Sequence, residues 1–334
     1  MHPTVSVVIP CYNEQATIRS LLTAVYEQTY PRDKLEVVIA DGLSEDGTRA
    51  AIASFQEMHP ALLIKVVDNT KRTIPAGLNR AIREACGEIL VRLDAHSVPV
   101  PEYIDLCVQA LEQGKGASVG GVWSIRPGGP GWIAEAIAAA AAHPLGAGDA
   151  LYRLGGEARS VDTVPFGAFR RALFEELGGF DETLLTNEDY EFNVRIRRQG
   201  GVVWMDPQIR TTYRARSTLK DLARQYWRYG FWKYRMLLRY PGSIRWRQAF
   251  PPLFVVVLLG MAGAAVFWPW ARIGLIAVAV VYLLALLAAG IDMGRHGRDA
   301  RLIPGGMLAL ATMHFSWGAG FLASLVSGWC KRHG

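Results

Sequence analysis

An α/β fold with a mostly parallel sheet, followed by helices that enter a membrane, is what this 334-residue sequence predicts. Three observations predict it. Short apolar runs ending in polar residues alternate with helical patterns over the first two-thirds of the chain. The last 86 residues are almost wholly apolar. Between these parts lies a cationic stretch, residues 209–248, with eleven Lys or Arg against one acid, Asp221. The formal charge of +6 belongs to that stretch, since the remaining 25 basic and 29 acidic residues balance to −4.

The first run, residues 5–9, leads into Pro10-Cys11-Tyr12-Asn13-Glu14. The second, 35–40, leads into Asp41-Gly42, and another, 88–93, into Asp94-Ala95-His96; residues 63–67 form a further strand. Helical patterns cover 16–28, 46–58 and 76–85. Continuous apolar runs, rather than alternation, mean strands buried on both faces, hence parallel pairing. Ligands of such sheets collect at the carboxyl ends of the strands, where Asn13, Asp41, Asp94 and His96 all fall. No G-x-G-x-x-G follows the first strand and no G-x-x-x-x-G-K-[ST] occurs. That disfavours dinucleotide dehydrogenases and P-loop NTPases.

Alternate residues of an extended strand end point the same way, so Asp94 and His96 present a carboxylate and an imidazole together. Beside a diphosphate, that pair suits Mn²⁺ or Mg²⁺. Asp41 reads either as a strand terminator before a turn or as an acceptor for a base N–H, and Asp46 as structural. Lys71 and Arg72 follow a strand and are open between phosphate contacts and solvated loop charges. Thr186-Asn187-Glu188-Asp189 precedes a helical run stopped by Gly200-Gly201. Acids there complement the helix dipole, and Thr186-x-x-Asp189 resembles a capping box. The same dipole keeps a carboxylate ionised, as a general base must be. Cys11, Cys86, Cys107 and Cys330 show no paired spacing, so neither zinc nor a disulfide framework is indicated.

Residues 249–271 and 273–291 carry no charged side chain and are separated by Arg272. At 1.5 Å per residue the first spans about 34 Å, enough for the hydrocarbon core. Trp268, Pro269 and Trp270 suit an interfacial hairpin tip. The third apolar segment, 302–330, contains Pro304, Gly305, Gly306, His314, Gly318 and Gly320 and is open between spanning and entering and returning. The cationic stretch beside these segments points to membrane lipids rather than nucleic acid, with each Lys or Arg worth about 1 kcal/mol at an anionic surface. Arg295, Arg298 and Arg301 make the loop 292–301 basic as well. By the positive-inside rule, the large domain and this loop face the cytoplasm. The expected organisation is a catalytic domain over 1–215, basic amphipathic interfacial helices over 216–248 and a membrane domain over 249–330.

Taken together, the motifs resemble the family 2 inverting glycosyltransferases of GT-A fold, over about residues 4–235. The resemblance is carried by Val7-Val8-Ile9-Pro10-Cys11-Tyr12-Asn13-Glu14, Val38-Ile39-Ala40-Asp41-Gly42, Asp94-Ala95-His96, Gly178-Gly179-Phe180-Asp181-Glu182 and Asn187-Glu188-Asp189. Arg72-x-Ile74-Pro75, Arg92-Leu93-Asp94-Ala95-His96 and Val164-Pro165-Phe166-Gly167 resemble the succinoglycan-type exopolysaccharide glucosyltransferases, which also end in membrane helices. The resemblance implies that Tyr12, Glu14 and Asp41 hold the uridine of a UDP-sugar; Pro10 and Lys71 are further candidate donor-binding residues. It implies that Asp94 and His96 contact ribose and the metal on the diphosphate, and that Asp189 is the base, with Glu188 beside it. His96 stands where the family commonly has a second Asp.

Gln225-Tyr226-Trp227-Arg228-Tyr229 resembles the Gln-x-x-Arg-Trp element of processive polysaccharide synthases, with Tyr229 in place of Trp. This implies that Gln225, Trp227 and Arg228 lie near the acceptor and the donor diphosphate. The other reading is an interfacial amphipathic helix, with Leu222, Tyr226, Tyr229 and Met236 on one face and Arg224, Arg228, Arg235 and Arg239 on the other. The function expected is a membrane-bound inverting transferase, moving glucose from UDP-glucose to a lipid-linked saccharide in exopolysaccharide assembly. A processive synthase, a polyprenyl-phosphate glycosyltransferase and a nucleotide-binding scaffold are the rivals. Two or three membrane segments are few to enclose a polysaccharide channel.

Overall fold

The computed structural model describes residues 2–333, with side chains through residue 328, so Cys330 lies outside the described side chains. Nine strands form one sheet: β1 (Val5–Cys11), β2 (Leu35–Asp41), β3 (Leu63–Asp68), β4 (Ile89–Arg92), β5 (Val98–Pro99), β6 (Ser118–Arg126), β7 (Arg159–Ser160), β8 (Ala168–Arg170) and β9 (Val203–Arg214). The helices preceding the C-terminal part are α1 (Ile18–Tyr26), α2 (Thr48–Met58), α3 (Ile74–Glu84), α4 (Tyr103–Glu112), α5 (Trp132–Ala141), α6 (Pro144–Ala147), α7 (Leu151–Leu154), α8 (Arg171–Leu177) and α9 (Glu188–Arg198). Then come α10 (Leu219–Arg239), α11 (Trp246–Phe267), α12 (Pro269–Gly297) and α13 (Leu302–His333).

Contacts divide the chain into two units. The first comprises Met1–Ser124 and Leu151–Tyr213. Its sheet runs β3-β2-β1-β4-β8-β6-β9-β5, with β7 on β9. The four strands legible in the sequence are the parallel ones: β1 pairs with β2 and β4, and β2 with β3. β8 then runs antiparallel to β4 and β6. The apolar runs are continuous because both faces are covered. Val7, Ile9, Val37, Ile39 and Val91 pack on one side with Leu21, Ile52 and Tyr103. Val8, Val38 and Leu90 pack on the other with Leu78, Phe192 and Ile196. The register puts Cys11 beside Asp41 and Val8 beside Arg92, so three parallel strands end together at one edge.

A close backbone approach fixes one glycine. A Cβ at Gly121 on β6 would overlap the carbonyl oxygen of Ile209 on β9. Gly121→Ala is therefore expected to destabilise the first unit by about 1–3 kcal/mol or more, as overpacking against backbone does. Thermal unfolding of the purified variant measures this, and an unchanged melting temperature would contradict the contact.

The second unit comprises Ile125–Ala150 and Arg214–Gly334. Three of its helices are long and apolar enough to cross a membrane: Trp246–Phe267, Pro269–Gly297 and Leu302–Gly328. The α11–α12 break falls at Trp268, with Pro269 at the first helical position, where its missing N–H costs nothing. The third apolar segment is one continuous helix; its Pro304 and paired glycines fall in the first turn, where they do not interrupt the backbone ladder. That removes the enter-and-return alternative.

The face of α10 carrying Leu222, Tyr226 and Met236 is buried as expected, and Arg224, Arg228 and Arg239 are exposed. Its cover is α13: Gly230 meets the Trp317 backbone, and Gly320 of α13 meets the Trp227 backbone. Small residues at both crossing points let the helices touch through their main chains. Arg235 departs from the expected exposed face, being half-buried, and a further cation of this helix is enclosed. Lys233 is 1% exposed, its Nζ 3.3 Å from the Ser243 carbonyl.

Candidate active site

The loops after β1 and β2 are stitched to each other by side chains that bind backbone. Asn13 adopts φ 54°, a conformation Asn tolerates better than most residues, and its Oδ1 accepts from Glu45 N at 2.9 Å. Ser44 Oγ accepts from Asn13 N at 2.9 Å, and Thr48 Oγ1 from Glu14 N at 2.8 Å. Gln15 N donates to Asp46 Oδ2 at 3.2 Å, while Gln15 Oε1 accepts from Gly47 N at 3.0 Å. Asp46 is thus structural, as expected. Its bonds from Thr48 hold its carboxyl below the usual range.

Asp41 closes β2 and is fully buried. Its Oδ1 accepts from Ser44 Oγ at 2.5 Å, and its Oδ2 from Ser44 N at 3.0 Å and Arg49 Nε at 2.5 Å. Arg49 also reaches Asp68 at the end of β3. Sequence reading missed Arg49; its place in the first turn of the helix after Asp41 was the available signal. Tyr12 is 42% exposed with the Arg72 guanidinium 5.6 Å from its ring centre, so an open aromatic face lies next to the Asp41 loop. Pro10 belongs to β1 and is half-buried. Lys71 pairs with Glu182 at 2.6 Å, and Asn79 binds both Glu182 and the Phe180 backbone. The Gly178–Glu182 motif is thereby anchored to α3.

At the end of β4 the chain gathers its buried charges. Arg92, 4% exposed, donates from Nε and Nη2 to Asp94 Oδ1 at 3.2 and 3.1 Å, and from Nη2 to Glu188 Oε1 at 2.8 Å. Glu188 is 5% exposed, and the half-buried Asp189 follows it on α9. Burial, then the Glu188 charge, push Asp189 up to about 6, with Arg92 opposing. Burial alone would lower the Arg92 pKa, but Asp94, Glu188 and Asp189 outweigh it and raise it. The structure thus brings Asp94, Glu188 and Asp189 together around a residue the sequence reading did not single out. A charged side chain inside an otherwise apolar strand was the overlooked signal.

The expected capping box at Thr186 is absent. The helix starts at Glu188 with Asn187 as N-cap in the left-handed conformation, φ 69°, without a side-chain cap bond. The turn directs Asp189 so that its Oδ1 accepts from Tyr190 N at 2.7 Å. Phe192 stacks on Phe180 at 4.7 Å, and Arg195 donates to the Leu177 and Gly179 carbonyls, so α9 is held firmly behind the carboxylates.

His96 Nδ1 lies 3.0 Å from Glu14 Oε1, linking the residues after β4 and β1. A carboxylate on one ring nitrogen is a common partner of metal-ligating histidines. Among the described residues no group of three or more His, Cys, Asp or Glu converges as a metal cage. Both guanidinium bonds to Asp94 fall on Oδ1, leaving Oδ2 without a protein donor. One carboxylate oxygen and one imidazole fit a cation whose other ligands are phosphate oxygens and water. Gln225, Trp227 and Arg228 lie on α10 of the second unit, where Gln225 Nε2 donates to Tyr229 Oη at 2.9 Å and Trp227 is 43% exposed.

The chain is similar to known proteins. The sequence profile for glycosyl transferase family 2 matches residues 6–178. The succinoglycan biosynthesis protein ExoA of Rhizobium meliloti is 30% identical over 96% of this chain and 94% of its own. The dolichyl N-acetyl-α-D-glucosaminyl phosphate 3-β-D-2,3-diacetamido-2,3-dideoxy-β-D-glucuronosyltransferase of Methanococcus voltae is 27% identical over 97% and 98%. Among solved structures, the mannosyltransferase PcManGT of Pyrobaculum calidifontis, in complex with GDP-Man and Mn²⁺, superposes with a TM-score of 0.63 and 26% identity, covering 97% of this chain and 88% of that one. A mostly parallel sheet of GT-A type, three apolar C-terminal helices and this match over more than half the chain agree: the chain belongs to glycosyl transferase family 2.

Proposed function

We propose that the protein is an inverting transferase that moves glucose from UDP-glucose to a lipid-linked saccharide, forming a β-linkage, at the cytoplasmic face of the inner membrane during exopolysaccharide assembly. The observation that supports this reading is the Arg92 guanidinium bridging Asp94 and Glu188 at the carboxyl end of the parallel strands, with Asp189 next to Glu188 in the first turn of α9. Its relatives, a succinoglycan biosynthesis protein and a glycosyltransferase named for a dolichyl phosphate-linked sugar, support the acceptor class.

Tyr12, Pro10, Glu14 and Asp41 form the nucleoside side, with the Tyr12 face open to a base and Asp41 ending β2 as an acceptor. Lys71 stands on the donor side. Asp94 and His96 would hold Mn²⁺ or Mg²⁺, which supplies charge neutralisation to the departing diphosphate. Ionised, the three carboxylates outnumber Arg92 by two charges, a deficit that suits a divalent cation. Asp189 takes the proton of the acceptor hydroxyl, with Glu188 beside it. The base and the leaving diphosphate stand on opposite sides of the anomeric carbon, so one displacement inverts it and an α-linked donor gives a β-linked product.

A donor screen tests the reading: UDP release from UDP-glucose, with lipid-linked saccharide as acceptor and Mn²⁺ present, is expected. No nucleotide release from any donor would leave only a binding scaffold. GDP-mannose is the second donor to include, because a structural neighbour was solved with GDP-Man. Bare polyprenyl phosphate serves as the competing acceptor, and a product ladder would reveal processive addition.

The pH profile carries a further expectation. Asp189 must be ionised to act as base, and its pKa is raised to about 6. The rate is therefore expected to fall roughly tenfold per pH unit below about 6 and to level off above about 7. Initial rates across pH under saturating donor measure this; a profile flat down to about pH 4.5 would exclude a base with so raised a pKa.

A further inference from the structure

We propose that Arg92 is a positioning residue for the transfer, tying the carboxylate that faces the donor diphosphate to the helix that carries the base; this rests on the function proposed above. Its guanidinium fork spans two functional elements. Nε and Nη2 fix Asp94 Oδ1 at the end of β4, and the same Nη2 fixes Glu188 Oε1 in the first turn of α9, next to Asp189. With Oδ1 occupied, Oδ2 is the oxygen Asp94 turns to a ligand.

Three features distinguish this from an ordinary buried ion pair. Arg92 Nη1 is buried and has no hydrogen-bond partner among the described residues. An unpaired buried donor is costly, and Arg171 Nη2 and Arg235 Nε share that state, but of these only Arg92 combines it with bonds to two carboxylates of separate elements. The wall against it is strained: Phe166, whose ring centre lies 5.9 Å from the guanidinium, has φ 51°, a left-handed conformation uncommon for an aromatic residue. Tyr103 Oη holds that strained turn by donating to the Phe166 carbonyl at 3.1 Å. Strain and unmet bonds persist where a site is over-determined by function. Finally, the acids around Arg92 outnumber it, so the residue holds a negative pocket together rather than neutralising it.

Lys cannot replace this fork, since a single ammonium does not grip two carboxylates in fixed relative positions. The test uses the full-length protein in detergent and compares Arg92→Lys and Arg92→Gln with wild type in three measurements: thermal unfolding, Mn²⁺ binding in the presence of UDP by electron paramagnetic resonance, and steady-state kinetics. Arg92→Lys is expected to fold, to bind Mn²⁺·UDP at least tenfold more weakly, and to lose at least tenfold in kcat, with Arg92→Gln worse in both. If Arg92→Lys matches wild type in Mn²⁺·UDP affinity and kcat and loses only melting temperature, Arg92 is structural and the inference fails alone. If wild type itself binds no Mn²⁺·UDP, the proposed function fails first, and the inference with it.

Discussion

Replacing Asp189 with Asn is expected to lower turnover by roughly 10²–10⁴, the range for loss of a positioned general base, while leaving the fold as stable as before or more so. The sign follows from the raised pKa. Its ordinary value is 3.8, and burial and the Glu188 charge raise it to about 6 in the folded protein. A carboxyl raised in the folded state contributes stability below about pH 4 that is lost as pH rises through about 6. At pH 7 and above, folding therefore works against the Asp189 charge, and a neutral amide of the same shape relieves that cost. Nucleotide release and thermal unfolding, read on one preparation, check both halves. Full turnover in the variant would remove Asp189 from the mechanism. A large fall in melting temperature would show that its charge is stabilising instead.

Glu188→Ala is expected to do the opposite: unfold the first unit more easily by about 3–5 kcal/mol, the cost of breaking one side of a buried ion pair. Glu188 and Arg92 are 5% and 4% exposed and meet at 2.8 Å, so the truncation leaves a buried guanidinium with Asp94 as its one remaining carboxylate partner. Glu188→Gln keeps an oxygen that accepts from Nη2 and should cost less. Unfolding by heat or denaturant ranks the three proteins. If Glu188→Ala were as stable as wild type while Asp189→Asn melted early, the two adjacent acids would have exchanged roles.

The parallel half of the sheet was legible because its strands are covered on both faces: runs such as Val37-Val38-Ile39-Ala40 leave no polar alternate, and their first polar residue marks the strand end. Asp41, Asp94 and the Asn13 loop followed from that rule alone. The antiparallel half was not legible. β8 has three residues, and its pairing with β4 and β6 depends on chain segments far apart in sequence. The grouping of Ile125–Ala150 with the C-terminal helices was hidden for the same reason, since Gly305 against Trp132 and His314 on the Leu145 carbonyl are contacts no local pattern announces. The helix cap was placed at Thr186 rather than Asn187 because a left-handed N-cap carries no composition signal beyond Asn itself. Arg92 escaped because a strand cation shows its meaning only when its partners, one of them 96 residues away, are in place.

The stitching between the first two loops has a consequence for how donor choice can change. Five main-chain amides, those of Asn13, Glu14, Gln15, Glu45 and Gly47, are each held by a side chain of the opposite loop. Fixing each such residue costs about 1–2 kcal/mol of conformational entropy, and folding has already paid it before any nucleotide arrives. The two loops therefore behave as one stiff plate. Lengthening either by a residue would break the other's anchors, so, on the proposed function, a new nucleotide preference would be reached by exchanging side chains on the plate's outer rim, not by reshaping it.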